Sequence, residues 1–101
     1  MIPIVLRPAA AADIGNAMLW YEGQSPGLGA DFLTAVDGAL DRIRRHPAIF
    51  AKIHRDARRV LIHKYPYAIV YRVYRDRVWL ACMKSAIPNA GGPEFRRSLR
   101  A

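Results

Sequence analysis

The sequence predicts an α+β fold in which an antiparallel β-sheet packs against an N-terminal helical hairpin, in the order β-α-α-β-β-β. Three observations predict it. Val60–Ile62, Tyr67–Tyr74 and Val78–Met83 are successive runs rich in β-branched and aromatic residues. The turns between them, marked by Pro66 and Asp76, are too short for a helical crossover, so neighbouring runs pair antiparallel. Upstream lie two stretches with helical apolar spacing, the only elements able to cover one face of such a sheet.

Ile2–Leu6 is a short apolar run and a first strand. Pro8 suits the first turn of a helix, where its missing N–H costs nothing. Ile14, Ala17, Met18 and Tyr21 then recur at three- and four-residue spacing, giving an amphipathic helix over 9–24 that Ser25-Pro26-Gly27 ends. A second helix is expected over 29–46, with Phe32, Leu33, Val36, Leu40 and Ile43 on one face and Pro47 as its stop. Asp31 lies near its positive end, Arg44 and Arg45 near its negative end, and Asp41 pairs with Arg45 at i,i+4. The short linker makes the two helices an antiparallel hairpin.

Strands are expected over 58–64, 67–75 and 77–84. Tyr67, Ile69, Tyr71 and Val73 share one face of the central strand and form its core side, with Phe32, Val36, Leu40, Ile69, Tyr71 and Leu80 in the core. Arg72 then points away from the helices. Beyond Lys84, Asn89-Ala90-Gly91-Gly92-Pro93 is loop chemistry, which sets a domain over 1–88 and a basic tail over 89–101. In that tail Phe95 and Leu99 either share one helical turn or stay disordered until a partner covers them.

A chain of 101 residues fits one domain. No apolar run approaches the roughly 18 residues of a membrane span, and MIPIVLRP lacks the pattern of a signal peptide, so a cytoplasmic location is expected and no membrane partner. Cys82, the single cysteine, reads as an inert thiol in a strand. His46, His54 and His63 stand eight and nine residues apart with no grouped carboxylate or cysteine, which argues against a metal site. No glycine-rich phosphate loop or nucleophile elbow occurs, and no cofactor is expected.

Charge is strongly segregated. Residues 1–41 hold one base and five acids, net −4; residues 42–101 hold fifteen bases and three acids, net +12. A field of that sign attracts a polyanion, either nucleic acid or an acidic protein segment.

The helix opening PGLGADFL (Pro26 to Leu33), the helix end DRIRRHP (Asp41 to Pro47) and the block RRVLIHKYPYAIVYRV (Arg58 to Val73), with the turn Tyr74 to Arg77, come in an order and spacing that carry a resemblance over residues 2–84. The chain resembles the RelE/ParE superfamily of type II toxins, the toxic halves of bacterial toxin–antitoxin pairs. The resemblance implies the same α+β fold, a cognate acidic antitoxin as partner, and one of two activities. RelE-like members cleave messenger RNA in the ribosomal A site. ParE-like members bind DNA gyrase and trap its cleaved DNA complex.

RNA cleavage by 2′-OH attack needs proton transfer and cationic stabilisation of a phosphorane, so bases must converge on one phosphate. The resemblance puts His63 and Lys64 at the first basic position of such a set. The second falls in Ala86-Ile87-Pro88, which holds no base; Lys84 is the nearest substitute, and Phe95 lacks a hydroxyl. His63, Lys64, Arg72 and Lys84 are thus the catalytic candidates of the endoribonuclease reading, and the incomplete set favours the ParE-like one. Arg58, Arg59, Arg72, Lys84, Arg96, Arg97 and Arg100 are the candidate partner-binding residues. A weakly toxic antitoxin-binding module is a further alternative. So is a nucleic-acid-binding module, with Tyr65, Tyr67, Tyr71, Tyr74 and Trp79 available for stacking.

Overall fold

The computed structural model describes residues 2–86. Its elements are β1 (Ile4–Leu6), α1 (Pro8–Gln24), α2 (Leu28–Arg45), β2 (Lys52–His54), β3 (Ala57–Leu61), β4 (Tyr67–Tyr74) and β5 (Arg77–Ser85). They form one five-stranded sheet in the order β1-β5-β4-β3-β2, with the helical hairpin on one face.

The hairpin and the meander are as expected, and two features extend the expected sheet. The sheet is mixed, because β1 pairs parallel with β5 through Ile4 to Val78, Val5 to Trp79 and Leu6 to Leu80. The remaining pairs are antiparallel. β2, an exposed three-residue edge strand, adds to the expected order. Its single apolar residue, Ile53, between Lys52 and His54 gives no strand periodicity to read.

The joint between the helices is set by one carboxylate. Gly27 stands at the N-cap of α2 with φ +88°, a conformation glycine takes without cost, but it has no side chain to cap the helix. Glu22, from the end of α1, supplies the cap. Its two oxygens accept from the amides of Gly27 at 3.1 Å and Gly29 at 2.9 Å. A Cβ at Gly29 would lie 2.9 Å from the Glu22 carboxylate and 3.0 Å from the Met18 carbonyl oxygen, so only glycine permits this approach.

Phe32, Val36, Ala39 and Ile43 of α2 and Ala10, Ile14 and Ala17 of α1 seal the sheet face formed by Val60, Tyr67, Ile69, Tyr71, Val78, Leu80 and Met83. Leu40, expected in the core, is half-buried and packs against its margin. Tyr71 is fully buried, and its hydroxyl donates to the Pro47 carbonyl at 2.7 Å, which anchors the chain where it leaves α2. Arg42 ties α2 to β3 by donating to the Leu61 carbonyl at 2.7 Å.

A β-bulge in β5 alters the alternation of faces. Val70 pairs with Cys82 but Tyr71 with Leu80, so Ala81 is skipped. Val78 and Leu80 face the helices before the bulge and Met83 faces them after it. Near the bulge the Met83 amide donates across to the Asp13 carboxylate of α1 at 3.1 Å.

Two substitutions probe these ties. Asp13→Ala leaves a part-buried amide without its acceptor and lowers stability by about 1–3 kcal/mol, whereas Asp13→Asn, which keeps an acceptor oxygen, loses less. Urea denaturation with amide exchange at Met83 reads both. Gly29→Ala dislodges Glu22 from two amides, a loss that outweighs the gain of up to ~1 kcal/mol in helix propensity, so its urea midpoint falls. A midpoint at or above wild type would show that the interhelical cap contributes little.

Candidate functional site

The sheet face turned away from the helices carries three of the sequence-derived site residues, Arg59, Arg72 and Lys84. Strand pairing puts Arg59 beside Val70 and Cys82, Leu61 beside Ala68 and Lys84, and Arg72 beside Trp79 and Val5. Arg59, Arg72 and Lys84 are exposed there, as the alternation around Arg72 requires. Lys84 reaches this face only because of the bulge. Unbroken alternation from Val78 and Leu80 would have turned it toward the helices.

Arg58 lies on the other side of the sheet from Arg59. It pairs with Tyr71, on the helix side of β3, is half-buried, and donates to the Phe50 carbonyl at 2.7 Å. That holds the α2–β2 connection and removes Arg58 from the free basic face. Arg96, Arg97 and Arg100 lie outside the described residues, as do Phe95 and the tail boundary.

His63 and Lys64 occupy the connection between β3 and β4, both exposed. Lys64 has φ +74°, a left-handed conformation uncommon for a residue with a side chain. Its ammonium lies 3.9 Å from the Asp31 carboxylate at the start of α2, and the Tyr65 hydroxyl donates to that same carboxylate. Asp31 thus clamps this turn to the helix. Tyr65 also stands edge-on to Tyr21 and Phe32, with Tyr67 adjoining both.

Of the catalytic candidates, Arg72 and Lys84 stand apart on this face. Arg72 pairs with Trp79, while Lys84 stands beside Ala68, four residues back along β4. At about 3.3 Å per residue that separation is roughly 13 Å, more than one phosphate can bridge. Arg72 is further engaged by Asp56 at 3.6 Å, and Lys64 by Asp31.

Between its bases this face is apolar. Ala57, Ala68 and Val70 are buried on it yet stand apart from the helix-side core cluster, and Leu61 is 51% exposed. Trp79 is half-buried beneath the Arg7 guanidinium, 5.8 Å from its ring centre. Cys82, also half-buried, keeps its thiol: burial pushes its pKa up, Lys84 opposes this and Asp13 adds to it.

Sequence reading missed two structural carboxylates. Asp13 shares α1 with apolar Ile14 and Ala17, and an acid among core positions is the available signal. Glu22 precedes Pro-Gly-Leu-Gly, a helix start without a capping side chain, and that shortage points back to it. No described helix is long and apolar enough to cross a membrane.

The architecture matches a chain of the chromosomal ParDE TA system from P. aeruginosa with a TM-score of 0.63 and 14% identity, covering 86% of this chain and 98% of that one. The fold is RelE/ParE-like. No family model matches the chain, and no curated protein does.

The tyrosine cluster sets an alkaline limit on stability. Burial, then the hydrogen bond to Asp31 and its charge, push the Tyr65 phenol up to about 12; burial also raises Tyr21, Tyr67 and Tyr71. A folded pKa above the unfolded value of about 10 means the contribution is complete below pH ~10 and is lost as pH rises through the folded pKa values. The urea midpoint is therefore expected to fall above pH ~10 together with the appearance of tyrosinate absorbance, and Tyr65→Phe should make that fall shallower. A midpoint unchanged to pH ~11.5 would contradict it.

Proposed function

We propose that this chain is the toxin component of a type II toxin–antitoxin system, that it acts by binding DNA gyrase, and that a cognate acidic antitoxin neutralises it. The observation that carries the choice of target is the separation of Arg72 from Lys84, with Lys64 and Arg72 each beside a carboxylate, on a RelE/ParE-like fold. In-line cleavage of RNA requires a proton acceptor, a proton donor and cationic groups around the same phosphorane. Here Lys64 is drawn to Asp31, Arg72 to Asp56, and Lys84 stands beside Ala68 rather than near Arg72. A protein that inhibits by binding needs no such convergence. It needs a stable surface of the right charge.

Support for the partner's sign comes from the field. Residues 42–86 carry twelve bases and two acids. Both acids, Asp56 and Asp76, lie within 3.6 Å of an arginine, Arg72 and Arg77 respectively. An acidic partner meets an excess of positive charge with few local counter-ions, which raises its association rate and makes binding salt-sensitive.

Two assays on purified chain separate the targets. In a supercoiling reaction with gyrase we expect inhibition; in a purified translation system with primer extension on the message we expect no codon-phased cuts. Replacing both His63 and Lys64 by alanine should at most weaken gyrase binding. Were the chain a ribonuclease, the same pair of changes would slow cleavage by on the order of 10²-fold or more. Codon-phased cuts lost in that variant would overturn the proposal in favour of the messenger RNA endonuclease.

A further inference from the structure

From the outer face of α1 we infer that two copies of this chain associate through that face, helix against helix, as a weak twofold dimer. The helix is apolar nearly all the way round. Of its 17 residues only Asp13 and Glu22 are charged, and both carboxylates are engaged by backbone amides, those of Met83 and of Gly27 and Gly29. A helix of that composition is normally buried on every side. In the single chain only Ala10, Ile14 and Ala17 are buried, whereas Ala11, Ala12, Asn16 and Gly23 are exposed and Leu19 is 65% exposed. Leu33, 38% exposed, extends the patch onto α2 one turn beyond Gly29, the residue that rests against Met18 and Glu22 of α1.

The shape of this face is complementary to itself. Ala11, Gly15, Leu19 and Gly23 fall at four-residue intervals and form one ridge along the helix, with a leucine between two glycines. Nothing inside the described chain requires those glycines. A Cβ at Gly15 or Gly23 would meet no atom within 4 Å, whereas at Gly29 it would meet Glu22 and the Met18 carbonyl oxygen. Each weakens the helix relative to alanine. A crossing helix gives both a purpose: Leu19 of one copy seats in the notch at Gly15 or Gly23 of the other, and the twofold axis repeats the contact.

Charge selects a second copy as the occupant. A chain of net charge +8 repels itself wherever bases meet, and α1 holds no base. The same lack disfavours other occupants. An acidic partner or a nucleic acid is drawn to residues 42–86 with their twelve bases, and a helix lying on an anionic membrane carries Lys or Arg on its polar side. The chain's own residues 87–101 are separated from a second copy by the test below. One helix crossing buries less than the roughly 1,600 Å² of a standard interface, so a dissociation constant on the order of 10–100 µM is expected.

Sedimentation equilibrium of the full chain over about 5 to 500 µM, a range that brackets this constant, should show the mass rising toward twice that of the monomer. The rise should be steeper at about 0.5 M salt than at about 0.1 M, because salt screens the repulsion between two chains of like charge. An association that joined the basic sheet of one copy to acids of another would instead weaken. Amide shifts that depend on concentration should centre on Ala11, Gly15, Leu19 and Gly23. Leu19→Asp and Gly15→Gln should each weaken the dimer about tenfold or more. Gly15→Gln also raises helix propensity in open space, so its urea midpoint should equal or exceed wild type, and it alone decides the matter if Leu19→Asp fails to fold. Ile49→Asp, at a 68% exposed position beyond α2, should leave the dimer intact. A chain monomeric throughout, a dimer unaffected by both α1 variants, or one that salt weakens would overturn the inference. So would a monomer whose urea midpoint drops in Leu19→Asp, since residues 87–101 would then be what covers the face.

Discussion

The skipped residue at Ala81 is the constraint on which the arrangement of this sheet depends. β5 must bury Val78 and Leu80 against the helices near its start and Met83 near its end, and those positions do not share one parity. A single bulge reconciles them. Asp13 receives the Met83 amide beside the irregularity, so the same contact that accommodates the distortion also pins α1 to the central strands. The bulge has a second effect, on the opposite side of the sheet, where it delivers Lys84 to the face that already carries Arg59 and Arg72. Core packing and surface chemistry are thereby set by one backbone event.

Charge is divided by role as well as by position. Of the five acids before residue 42, Asp13 and Glu22 hold backbone amides, Asp31 binds the Tyr65 hydroxyl and lies beside Lys64, and Asp41 pairs with Arg45 at 3.0 Å. These carboxylates act mainly on their own fold. The exposed Asp41–Arg45 pair contributes little by itself, as solvent screens it. The bases are treated otherwise. Arg42 and Arg58 bond carbonyls that link α2 to the sheet, but Arg59 and Lys84 stand on an exposed surface. Four of the five early acids are thus engaged within the fold, while Arg59 and Lys84 are left to face a partner.

The aromatic residues show why composition alone misleads about recognition. A basic, tyrosine-rich meander invites a stacking platform for nucleic acid. Strand alternation instead sends Tyr67 and Tyr71 under the helices, where they pack around Phe32 and Phe50. The face left over is floored by alanine, valine and leucine. Of the rings, Trp79 remains on that face, partly covered by Arg7.

Much of this was legible in the chain itself. Helical spacing of Ile14, Ala17 and Tyr21, and of Phe32, Val36 and Ile43, together with Pro8, Pro26, Gly27 and Pro47, determined the hairpin, because those signals act over one or two turns. Alternation determined that Tyr71 is inside and Arg72 outside, since a one-residue slip would expose every core side chain of β4. Tertiary structure alone decided the parallel seat of β1 on β5, the bulge at Ala81, the diversion of Arg58 to the Phe50 carbonyl and the separation of Arg72 from Lys84. Each of these depends on pairing between segments distant in sequence, where local preference carries no information about which strand, which register or which carbonyl will be met.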